Sequence, residues 1–362
     1  TKATLVLDAP LKDFVYVVGS FNNWQPTAAY AMKKDASAGS TKFWLELTGL
    51  TAGTNYTYQY WVVDQTPLAG SPSLVKAADP YSTLVLSPYD DGGIPATSFP
   101  NLPAYPSGQE REVTWFKTGQ TPYAWSQATL NFEKPAKEKL VVYEVLVRDF
   151  DAKRNYQDLI DKIDYFKNLK VNAIQLMPVM EFEGNESWGY NTSFHMALDK
   201  FYGTPEKLKE LIDLYHQNGI AVILDVALNH AFGRNSMVRM WMNDPDGDGF
   251  GSPTTENPYF NTVAKHSYSV GEDFNHQQAR TKNYVKRVIK QWVEEFKIDG
   301  FRWDLTKGFT QNAQGSDAQT NAYQQDRVDV LKEYADYSWS LDPTHYVIFE
   351  HLGTDGEEQQ WA

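Results

Sequence analysis

The sequence contains no cysteine in 362 residues. This absence excludes disulfide bonds, zinc sites built from thiolates, and catalysis by a thiol nucleophile. The sequence also lacks any apolar run that approaches the roughly 20 residues needed by a membrane-spanning helix, so we expect no membrane span. Neither absence fixes the compartment. We expect a secreted or cell-envelope protein, while a cytoplasmic one stays open.

Positive charge is scarce, since 33 Lys and Arg residues stand against 46 Asp and Glu residues, for a formal net charge of −13 at pH 7. Such a chain repels polyanions, so nucleic acid is disfavoured as a partner, whereas a neutral polymer is not repelled. The sequence also shows no glycine-rich phosphate-binding loop and no Ser-His-Asp signature. We therefore expect no organic cofactor.

Aromatic residues are abundant, at 14% of the sequence with 11 Trp and 22 Tyr. Flat aromatic rings stack on the faces of sugar rings, which favours a carbohydrate ligand. Aromatic residues also fill protein cores, and composition alone does not separate the two roles. The length predicts two or three domains, at about 150 residues each.

The sequence predicts three successive regions that differ in pattern. Residues 1–90 contain alternating apolar runs separated by turns, which is typical of an immunoglobulin-like antiparallel β-sandwich. Residues 91–139 are rich in Pro, Gly, Ser and Asp and are predicted to be a connecting segment with one or two strands, such as Glu112–Phe116. Residues 140–362 form an α/β region with a long insertion at 231–275.

The α/β region alternates continuous apolar runs with segments of helical period. The predicted strands are Leu140–Val147, Val171–Met177, Ile220–Val226, Ile298–Trp303 and His345–Phe349. The predicted helices are Tyr156–Leu169, Thr204–Gln217, His276–Phe296 and Ala322–Trp339. This order predicts a parallel sheet that helices cover on both faces.

About five β/α units are predicted, whereas a closed (β/α)8 TIM-type barrel has eight. We therefore expect either part of such a barrel or an open sheet. The chain begins at Thr1 without Met and without a signal-peptide pattern, so we also expect that its natural N-terminus has been removed.

Two carboxylates follow neighbouring predicted strands at the points where those strands end. Asp304 closes the run Gly-Phe-Arg-Trp-Asp, and Glu350 closes the run Tyr-Val-Ile-Phe-Glu. Active-site residues of a β/α barrel lie at the carboxyl ends of its strands, so the two side chains are expected to face each other. Two carboxyl groups about 5 Å apart suit retaining cleavage of a glycosidic bond, with one as nucleophile and the other as general acid and base.

Arg302 lies two residues before Asp304. We expect its positive charge to lower the pKa of Asp304 and to keep that nucleophile ionised. The simpler alternative for Asp304 is a structural ion pair with Arg302. The simpler alternative for Glu350 is a solvated residue at a strand exit.

Other polar and aromatic residues follow the second and third predicted strands. Asp225, Asn229 and His230 close the third strand, where a histidine can donate to a sugar hydroxyl and an asparagine carbonyl can bind calcium. The alternative for these residues is loop capping. Trp188 and Tyr190 follow the second strand, where aromatic rings suit sugar stacking. The alternative for this pair is a hydrophobic plug under a loop.

Asp244, Asp246 and Asp248 alternate in a turn that ends at Gly249. This pattern resembles the start of a calcium-binding loop. The twelfth position of such a loop is Thr255 here, and no helices are predicted on either side. Calcium binding and an ordinary acidic turn are therefore the two hypotheses.

Together these segments resemble the alpha-amylase superfamily of glycoside hydrolases and transglycosylases. The motifs that carry the resemblance are Tyr143–Asp149, Met177–Phe182, Trp188–Asn191, Asp225–His230, Gly300–Lys307 and Val347–Glu350. They occur in the family's order from about Leu140 to the end of the chain. The segment Gly19–Trp24 resembles the β-sandwich modules that precede the barrel in glycogen- and starch-acting members.

The resemblance implies a role for each matching residue. Asp304 would be the nucleophile, Glu350 the general acid and base, and Arg302 the residue that orients the nucleophile. Asn229 would be a calcium ligand in members that hold the metal, and Lys307 would contact the sugar on the leaving side. The implied substrate contacts are Arg302, Asp225, His230, Trp188, Tyr190, Lys307 and His195.

The sequence departs from the family pattern at three places. Gly308 stands where many amylases have a histidine, and His195 stands where many relatives carry a tyrosine that stacks on the sugar. The fourth signature, with a third catalytic carboxylate after the seventh strand, lies beyond the matching segments. We therefore expect this chain alone to lack one of three catalytic carboxylates.

The resemblance predicts a retaining α-glucan-acting hydrolase of the amylase or debranching type, with starch, glycogen, pullulan or maltooligosaccharides as partners. The same site in a branching enzyme would transfer the sugar to another sugar hydroxyl instead of water. A non-catalytic glucan-binding protein with the same fold is the third hypothesis.

Overall fold

The computed structural model describes residues 1–361, and its strands form antiparallel sheets first and a parallel sheet later. The strands are β1 (Ala3–Asp8), β2 (Phe14–Gly19), β3 (Lys33–Lys34), β4 (Lys42–Leu47), β5 (Tyr56–Val63), β6 (Leu74–Ala77), β7 (Val85–Leu86), β8 (Val113–Phe116), β9 (Val142–Val145), β10 (Ala173–Leu176), β11 (Met180–Phe182), β12 (Thr192–Leu198), β13 (Ala221–Val226), β14 (His230–Ala231), β15 (Met242–Asn243), β16 (Ser252–Pro253), β17 (Glu272–Asp273), β18 (Gly300–Trp303) and β19 (Tyr346–Phe349). The helices are α1 (Gln127–Leu130), α2 (Val147–Phe150), α3 (Tyr156–Asp161), α4 (Ile163–Asn168), α5 (Pro205–Gln217), α6 (Ser236–Arg239), α7 (Ala279–Lys290), α8 (Asp317–Asn321), α9 (Gln325–Leu341) and α10 (Asp355–Glu358).

Five strands form the predicted parallel sheet, in the order β19-β18-β13-β10-β9. Every residue of β10 and β13 is buried, which explains why these strands are continuous apolar runs rather than alternating ones. The register pairs Asp225 on β13 with Arg302 on β18, and Trp303 on β18 with Phe349 on β19. The carboxyl ends of three neighbouring strands are thereby level with one another.

The helices between these strands follow the predicted positions with local differences. Helix α5 begins after Thr204, whose side chain accepts a hydrogen bond from the Lys207 N–H, and Pro205 occupies its first turn. The predicted helix at 156–169 is two short helices that break at Lys162. The predicted helix at 276–296 is shorter at its start and continues beyond α7 as a π-type turn over Gln291–Glu295.

The sequence analysis missed the antiparallel hairpin of β11 and β12, which lies between β10 and α5. Every residue of both strands is buried. Two acidic residues and a lysine, Glu181, Asp199 and Lys200, are buried in or directly after the hairpin. A strand buried on both sides shows no alternation, and buried charges hide it further, so periodicity does not reveal it.

The first 116 residues carry two antiparallel sheets, with the orders β1-β4-β3 and β2-β5-β8-β7, and β6 pairs with β5. The strand predicted at Glu112–Phe116 is found as β8, and it pairs with β5. Side chains of both sheets, including Val15, Val17, Phe43 and Leu45, belong to the same buried cluster as the core of the parallel sheet.

Specific contacts join the antiparallel sheets to the rest of the chain. The Trp241 indole donates to the Pro10 carbonyl at 2.9 Å, and the Arg280 guanidinium donates to Asp8 at 2.9 Å. These contacts fix the 231–275 insertion and α7 against the N-terminal sheets. Among residues 1–361, none of the helices combines the length and the hydrophobicity that crossing a membrane would require.

Candidate active site

The Arg302 guanidinium gathers three carboxylates at the carboxyl ends of β13, β18 and β19. Its Nη1 donates to both oxygens of Asp225 at 3.0 Å and to Asp304 Oδ1 at 2.8 Å. Its Nη2 lies 2.8 Å from Glu350 Oε1. The two expected catalytic carboxylates and the expected orienting arginine therefore form one cluster with Asp225.

Backbone geometry explains why these side chains converge. The parallel ladder continues past the strands, because Asp304 N donates to Val226 O and Glu350 N donates to Trp303 O, both at 3.0 Å. Leu305 then adopts a left-handed conformation, with φ 46° and ψ 56°. Such a conformation is uncommon for a residue other than glycine and often marks a functional site. It accompanies a hydrogen bond from the Leu305 N–H to Glu350 Oε2 at 3.0 Å.

Asp304 Oδ1 and Glu350 Oε1 each lie 2.8 Å from the Arg302 guanidinium, the first from Nη1 and the second from Nη2. Retaining glycosidases hold their two carboxyl groups about 5 Å apart, whereas inverting enzymes keep a wider gap that holds a water molecule. Two carboxyl groups that contact one guanidinium are compatible with the shorter gap. The side chains are 16% exposed at Asp304 and 37% exposed at Glu350, so a ligand can reach both.

Burial, which the sequence analysis did not consider, dominates the pKa of Asp304. Burial raises the pKa of Asp304 to about 6, and the neighbouring Glu350 adds to the increase, while Arg302 opposes it. Arg302 lowers the pKa of Asp304, as expected, but the loss of hydration disfavours the carboxylate more than the guanidinium favours it, so the net pKa is raised. Burial likewise raises the pKa of Asp225 to about 7.

Tyr190 and His230 belong to the same cluster, whereas Trp188 is an exposed residue of the preceding loop. The Tyr190 hydroxyl donates to Asp225 Oδ2 at 2.8 Å, and His230 Nε2 lies 2.6 Å from the Tyr190 carbonyl oxygen. Burial lowers the pKa of His230 to about 4, so its ring is neutral at pH 7. Trp188 is 63% exposed on the loop before Tyr190. The intervening Gly189 has φ +93°, and a Cβ there would lie 2.5 Å from the Pro178 carbonyl.

His195 was expected to contact the substrate, and the structure places it elsewhere. The residue lies in the middle of β12 and is fully buried. Its Nδ1 lies 3.2 Å from the Tyr284 hydroxyl, and its Nε2 lies 3.1 Å from the Ala227 carbonyl. Burial lowers its pKa to about 4. His195 therefore supports the backbone that leads to His230 and does not line the cleft.

The residues expected to bind calcium lie in two different surroundings. Asn229 is fully buried, where its Nδ2 donates to the Asp304 carbonyl at 3.3 Å and its Oδ1 lies 2.8 Å from His230 Nδ1. Asp244, Asp246 and Asp248 occupy the turn between β15 and β16, with carboxylate oxygens within 4.8 Å of one another.

Several contacts of this site were not anticipated. The αL conformation of Leu305 and its hydrogen bond to Glu350 have no sequence signal, because leucine rarely adopts it. Lys307 donates to Asn321 Oδ1 at 2.7 Å, and its Nζ lies 5.2 Å from the centre of the Tyr268 ring. Tyr268 and Asn321 lie in the insertion and in α8, away from every motif, so only the fold brings them to Lys307.

Comparison with known proteins gives a family match over most of this α/β region. Residues 148–361 match the family described as alpha amylase, catalytic domain. The chain is 31% identical to malto-oligosyltrehalose trehalohydrolase of Saccharolobus solfataricus over 187 residues, which cover 51% of the chain and 30% of that protein. It is 27% identical to the 1,4-alpha-glucan branching enzyme of Corynebacterium diphtheriae over 299 residues, which cover 82% of the chain and 35% of that protein.

Solved structures share the fold over nearly the whole chain. Apo pullulanase from Paenibacillus barengoltzii superposes with a TM-score of 0.67 at 19% identity, covering 96% of this chain and 51% of that one. The chain therefore spans about a third of the length of these curated relatives and about half the length of the pullulanase chain.

Proposed function

The chain belongs to the alpha-amylase family, and on that premise we propose that it carries the active site of a retaining glycoside hydrolase that acts on α-glucans. The proposed reaction cleaves α-1,4 or α-1,6 glucosidic bonds in starch, glycogen, pullulan or maltooligosaccharides. The observation that carries this proposal is the pairing of Asp304 and Glu350 around Arg302 at the strand ends. The names of the relatives, which include a trehalohydrolase, a branching enzyme and a pullulanase, support α-glucans as the substrate class.

In the proposed mechanism, an Asp304 oxygen attacks the anomeric carbon of the sugar and forms a glucosyl ester. The bond from that carbon to the leaving oxygen breaks, and Glu350 donates its proton to this oxygen. Glu350 then removes a proton from water, whose oxygen attacks the anomeric carbon and releases the Asp304 carboxylate. Arg302 fixes the orientation of the nucleophile through the 2.8 Å hydrogen bond from Nη1.

The finer fold assignment is part of the same proposal. We propose an immunoglobulin-like module over residues 1–90, a connecting segment over 91–139, and about five β/α units of a TIM-type barrel over 140–362. The pairing of β8 with β5 ties the connecting segment to the N-terminal sheet. A third catalytic carboxylate would come from a later barrel strand.

The principal test is Asp304→Asn, in the protein that contains this chain, with starch as the substrate. We expect release of reducing ends to fall at least about 1000-fold, because the amide cannot form the glucosyl ester. Asp164→Asn is a matched control, since this carboxylate is 83% exposed on α4. Retention of activity by Asp304→Asn would refute the proposed nucleophile.

A branching enzyme is the second candidate, favoured by the alignment to such an enzyme over 82% of the chain. The same glucosyl–Asp304 intermediate would then pass to a sugar hydroxyl instead of water. Iodine staining of amylose distinguishes the two, because branching lowers the stain without new reducing ends whereas hydrolysis creates them.

Calcium stays a proposal for the turn of Asp244, Asp246 and Asp248, whose carboxylate oxygens are the donors that this ion prefers. Asp244 already accepts hydrogen bonds from the N–H groups of Gly247 and Gly249, each at 3.0 Å. If calcium binds, millimolar Ca²⁺ should raise the melting temperature above its value in EDTA, and Asp246→Asn should reduce that increase. Equal melting temperatures in both buffers would leave the acidic-turn hypothesis.

A further inference from the structure

A buried ion pair joins helix α9 to helix α10, and the proposed mechanism does not use it. Arg327 and Glu357 are both fully buried, and the guanidinium donates to the carboxylate from Nε at 2.7 Å and from Nη2 at 2.6 Å. Its other N–H groups donate to the backbone carbonyls of Lys307, Thr320 and Ala322, each at 2.9 Å. All five N–H donors of Arg327 therefore have acceptors, and the residue ties both helices to the turn after β18.

The ion pair leads by direct contacts to the carbonyl oxygen of Glu350. His351 Nε2 lies 3.4 Å from Glu357 Oε2, and His351 Nδ1 lies 3.0 Å from Thr306 Oγ1. The Thr306 hydroxyl donates to the Glu350 carbonyl at 2.9 Å, and the Thr306 N–H donates to the same oxygen at 3.1 Å. Because a hydroxyl has one hydrogen, its oxygen accepts from His351 Nδ1 while it donates to Glu350. Four buried side chains thus form one connected network, which we call the relay: Arg327, Glu357, His351 and Thr306.

The histidine at the centre of the relay is tightly packed. A Cβ added at Gly353 would lie 2.5 Å from atoms of the His351 ring, so the backbone lies directly against that ring. The Trp361 ring packs edge to face on it, with the two ring centres 4.6 Å apart. Burial alone would raise the pKa of Glu357, but the contacts with Arg327 and His351 outweigh burial and hold this pKa below its usual value. The relay therefore contains an ionised carboxylate at neutral pH and a histidine ring that has little room to move.

Two consecutive residues hold Glu350 at two different points. The Leu305 N–H donates to Glu350 Oε2 at 3.0 Å, while Thr306 binds the Glu350 carbonyl. A shift of Thr306 would therefore move the backbone of Glu350 and its carboxyl group together. General acid catalysis requires the donor within hydrogen-bond reach of the oxygen that receives the proton, so a small displacement of Glu350 reduces the rate.

We propose that the relay positions Glu350 for proton transfer to the leaving oxygen. This inference rests on the proposed function, because it takes Glu350 as the general acid and base. The relay acts through Glu350 and does not react itself, so its members are positioning residues. Loss of one member should slow a reaction that needs the proton from Glu350 and should spare a reaction that does not.

The test compares a substrate whose leaving group needs a proton with one whose leaving group does not. Maltoheptaose releases a sugar hydroxyl, which Glu350 protonates, whereas α-glucosyl fluoride releases fluoride without that proton. In the protein that contains this chain, Thr306→Val keeps the shape of the side chain and removes its hydroxyl. This variant should lower kcat/KM for maltoheptaose about tenfold, through kcat rather than KM, and change the value for α-glucosyl fluoride less than about twofold. Thr306→Ser restores the hydroxyl and should recover most of the maltoheptaose activity.

Glu357→Gln tests the far end of the relay, and Thr281→Val is the matched control. Glu357→Gln should show the same selective loss, about fivefold on maltoheptaose, because the amide no longer holds His351 by its charge. Thr281 is fully buried on α7, and its hydroxyl donates to the Tyr259 carbonyl at 3.1 Å. Removing this hydroxyl should leave the ratio of the two kcat/KM values unchanged.

Equal losses on both substrates for Thr306→Val would indicate a structural role and would overturn the relay, as would no loss on either. A selective loss in Thr306→Val without one in Glu357→Gln would also overturn it, because Thr306 would then act alone. If Glu357→Gln does not fold, His351→Phe takes its place with the same expected loss. If the wild-type protein turns over neither substrate, the proposed function itself fails, and the relay fails with it.

Discussion

Two clusters in this molecule gather carboxylates around one cation, yet they differ in their access to solvent. At the strand ends, Arg302 contacts Asp304 and Glu350, whose side chains are 16% and 37% exposed. Beside the hairpin of β11 and β12, Lys200 contacts Asp91 and Glu181, whose side chains are 9% and 6% exposed. The two clusters thus have similar charges, but only the first can receive a ligand.

The comparison shows that a raised carboxyl pKa does not by itself identify a functional site. Burial raises the pKa of Asp304 to about 6, and it raises the pKa of Asp199, beside Lys200, to about 7. Perturbed groups occur in structural ion clusters as well as in active sites. The exposure of Asp304 and Glu350 distinguishes the strand-end cluster. We therefore expect substitutions in the sealed cluster to change stability and substitutions in the open cluster to change activity.

The largest effect on stability is expected for Lys200→Met. Asp91 and Glu181 would lose their ammonium partner while staying buried, and breaking a buried ion pair in this way costs about 3–5 kcal/mol of unfolding free energy. Urea denaturation measures the loss. Lys153→Met is the matched control, because its ion pair with Asp161 lies at the surface, with the lysine side chain 52% exposed. If the two variants unfold at the same urea concentration, the sealed cluster does not stabilise the fold.

Asp304→Asn should act in the opposite direction and stabilise the protein at alkaline pH. Burial raises the pKa of Asp304 from 3.8 in the unfolded chain to about 6 in the folded one. Between these values the folded state binds more protons, so the stability of the wild-type protein falls as the pH rises. Partial exposure reduces the effect, and we expect the variant to be about 2 kcal/mol more stable than wild type at pH 8.

Chemical denaturation of both proteins at pH 4 and pH 8 tests whether Asp304→Asn is the more stable protein at the higher pH. The difference should be close to zero at pH 4, where Asp304 is largely protonated in the folded protein. If the wild-type protein instead gains stability relative to Asp304→Asn as the pH rises, the effect of Arg302 on the pKa of Asp304 outweighs that of burial.

Glu350→Gln should shift the pH dependence of the open cluster. Burial is the largest cause of the raised pKa of Asp304, and the charge and the hydrogen bond of Glu350 raise this pKa further. Removing that charge should lower the pKa of Asp304 below its wild-type value of about 6. The pH dependence of fluoride release from α-glucosyl fluoride in a single turnover reports the pKa of Asp304. This substrate suits the Glu350→Gln variant because fluoride leaves without receiving a proton from residue 350. The wild-type rate should fall as the pH drops below about 6, and the variant rate should begin to fall only at a lower pH. An unchanged profile would show that the two carboxyl groups are not coupled.

Much of the parallel sheet could be predicted from the sequence, because fully buried strands are continuous apolar runs. The positions of Asp304 and Glu350 followed from the predicted strand ends, since these residues come directly after β18 and β19. The hairpin of β11 and β12 could not be predicted, because its strands alternate neither in hydrophobicity nor in burial. Its buried Glu181 forms an ion pair with Lys200, a contact that only the tertiary structure creates.

The functional details that the sequence missed depend on distances between remote segments. The contact of Tyr268 with Lys307 joins the insertion to the turn after β18, and no motif contains both residues. The pKa of Asp304 depends mainly on its burial, and the two-residue separation of Arg302 and Asp304 in the sequence does not predict that burial. His195 was misjudged for the same reason, because its place in the family pattern does not reveal that β12 buries it.

Tyr190→Phe should have the smallest effect, and it tests whether Asp225 supports the open cluster. The Tyr190 hydroxyl donates to Asp225 Oδ2 at 2.8 Å, and Asp225 in turn accepts from Arg302. Loss of one buried hydrogen bond should reduce the unfolding free energy by about 1 kcal/mol. We also expect kcat/KM for maltoheptaose to fall about fivefold, because Arg302 would hold Asp304 less firmly.

Tyr215→Phe separates these two effects. The Tyr215 hydroxyl donates to the Leu159 carbonyl at 2.9 Å, in the buried contact between α5 and α3, far along the chain from the strand-end carboxylates. This variant should lose a similar amount of stability without a change in kcat/KM. If both variants lose stability and neither loses activity, then Asp225 does not position Arg302, and the open cluster is functionally the pair Asp304 and Glu350 alone.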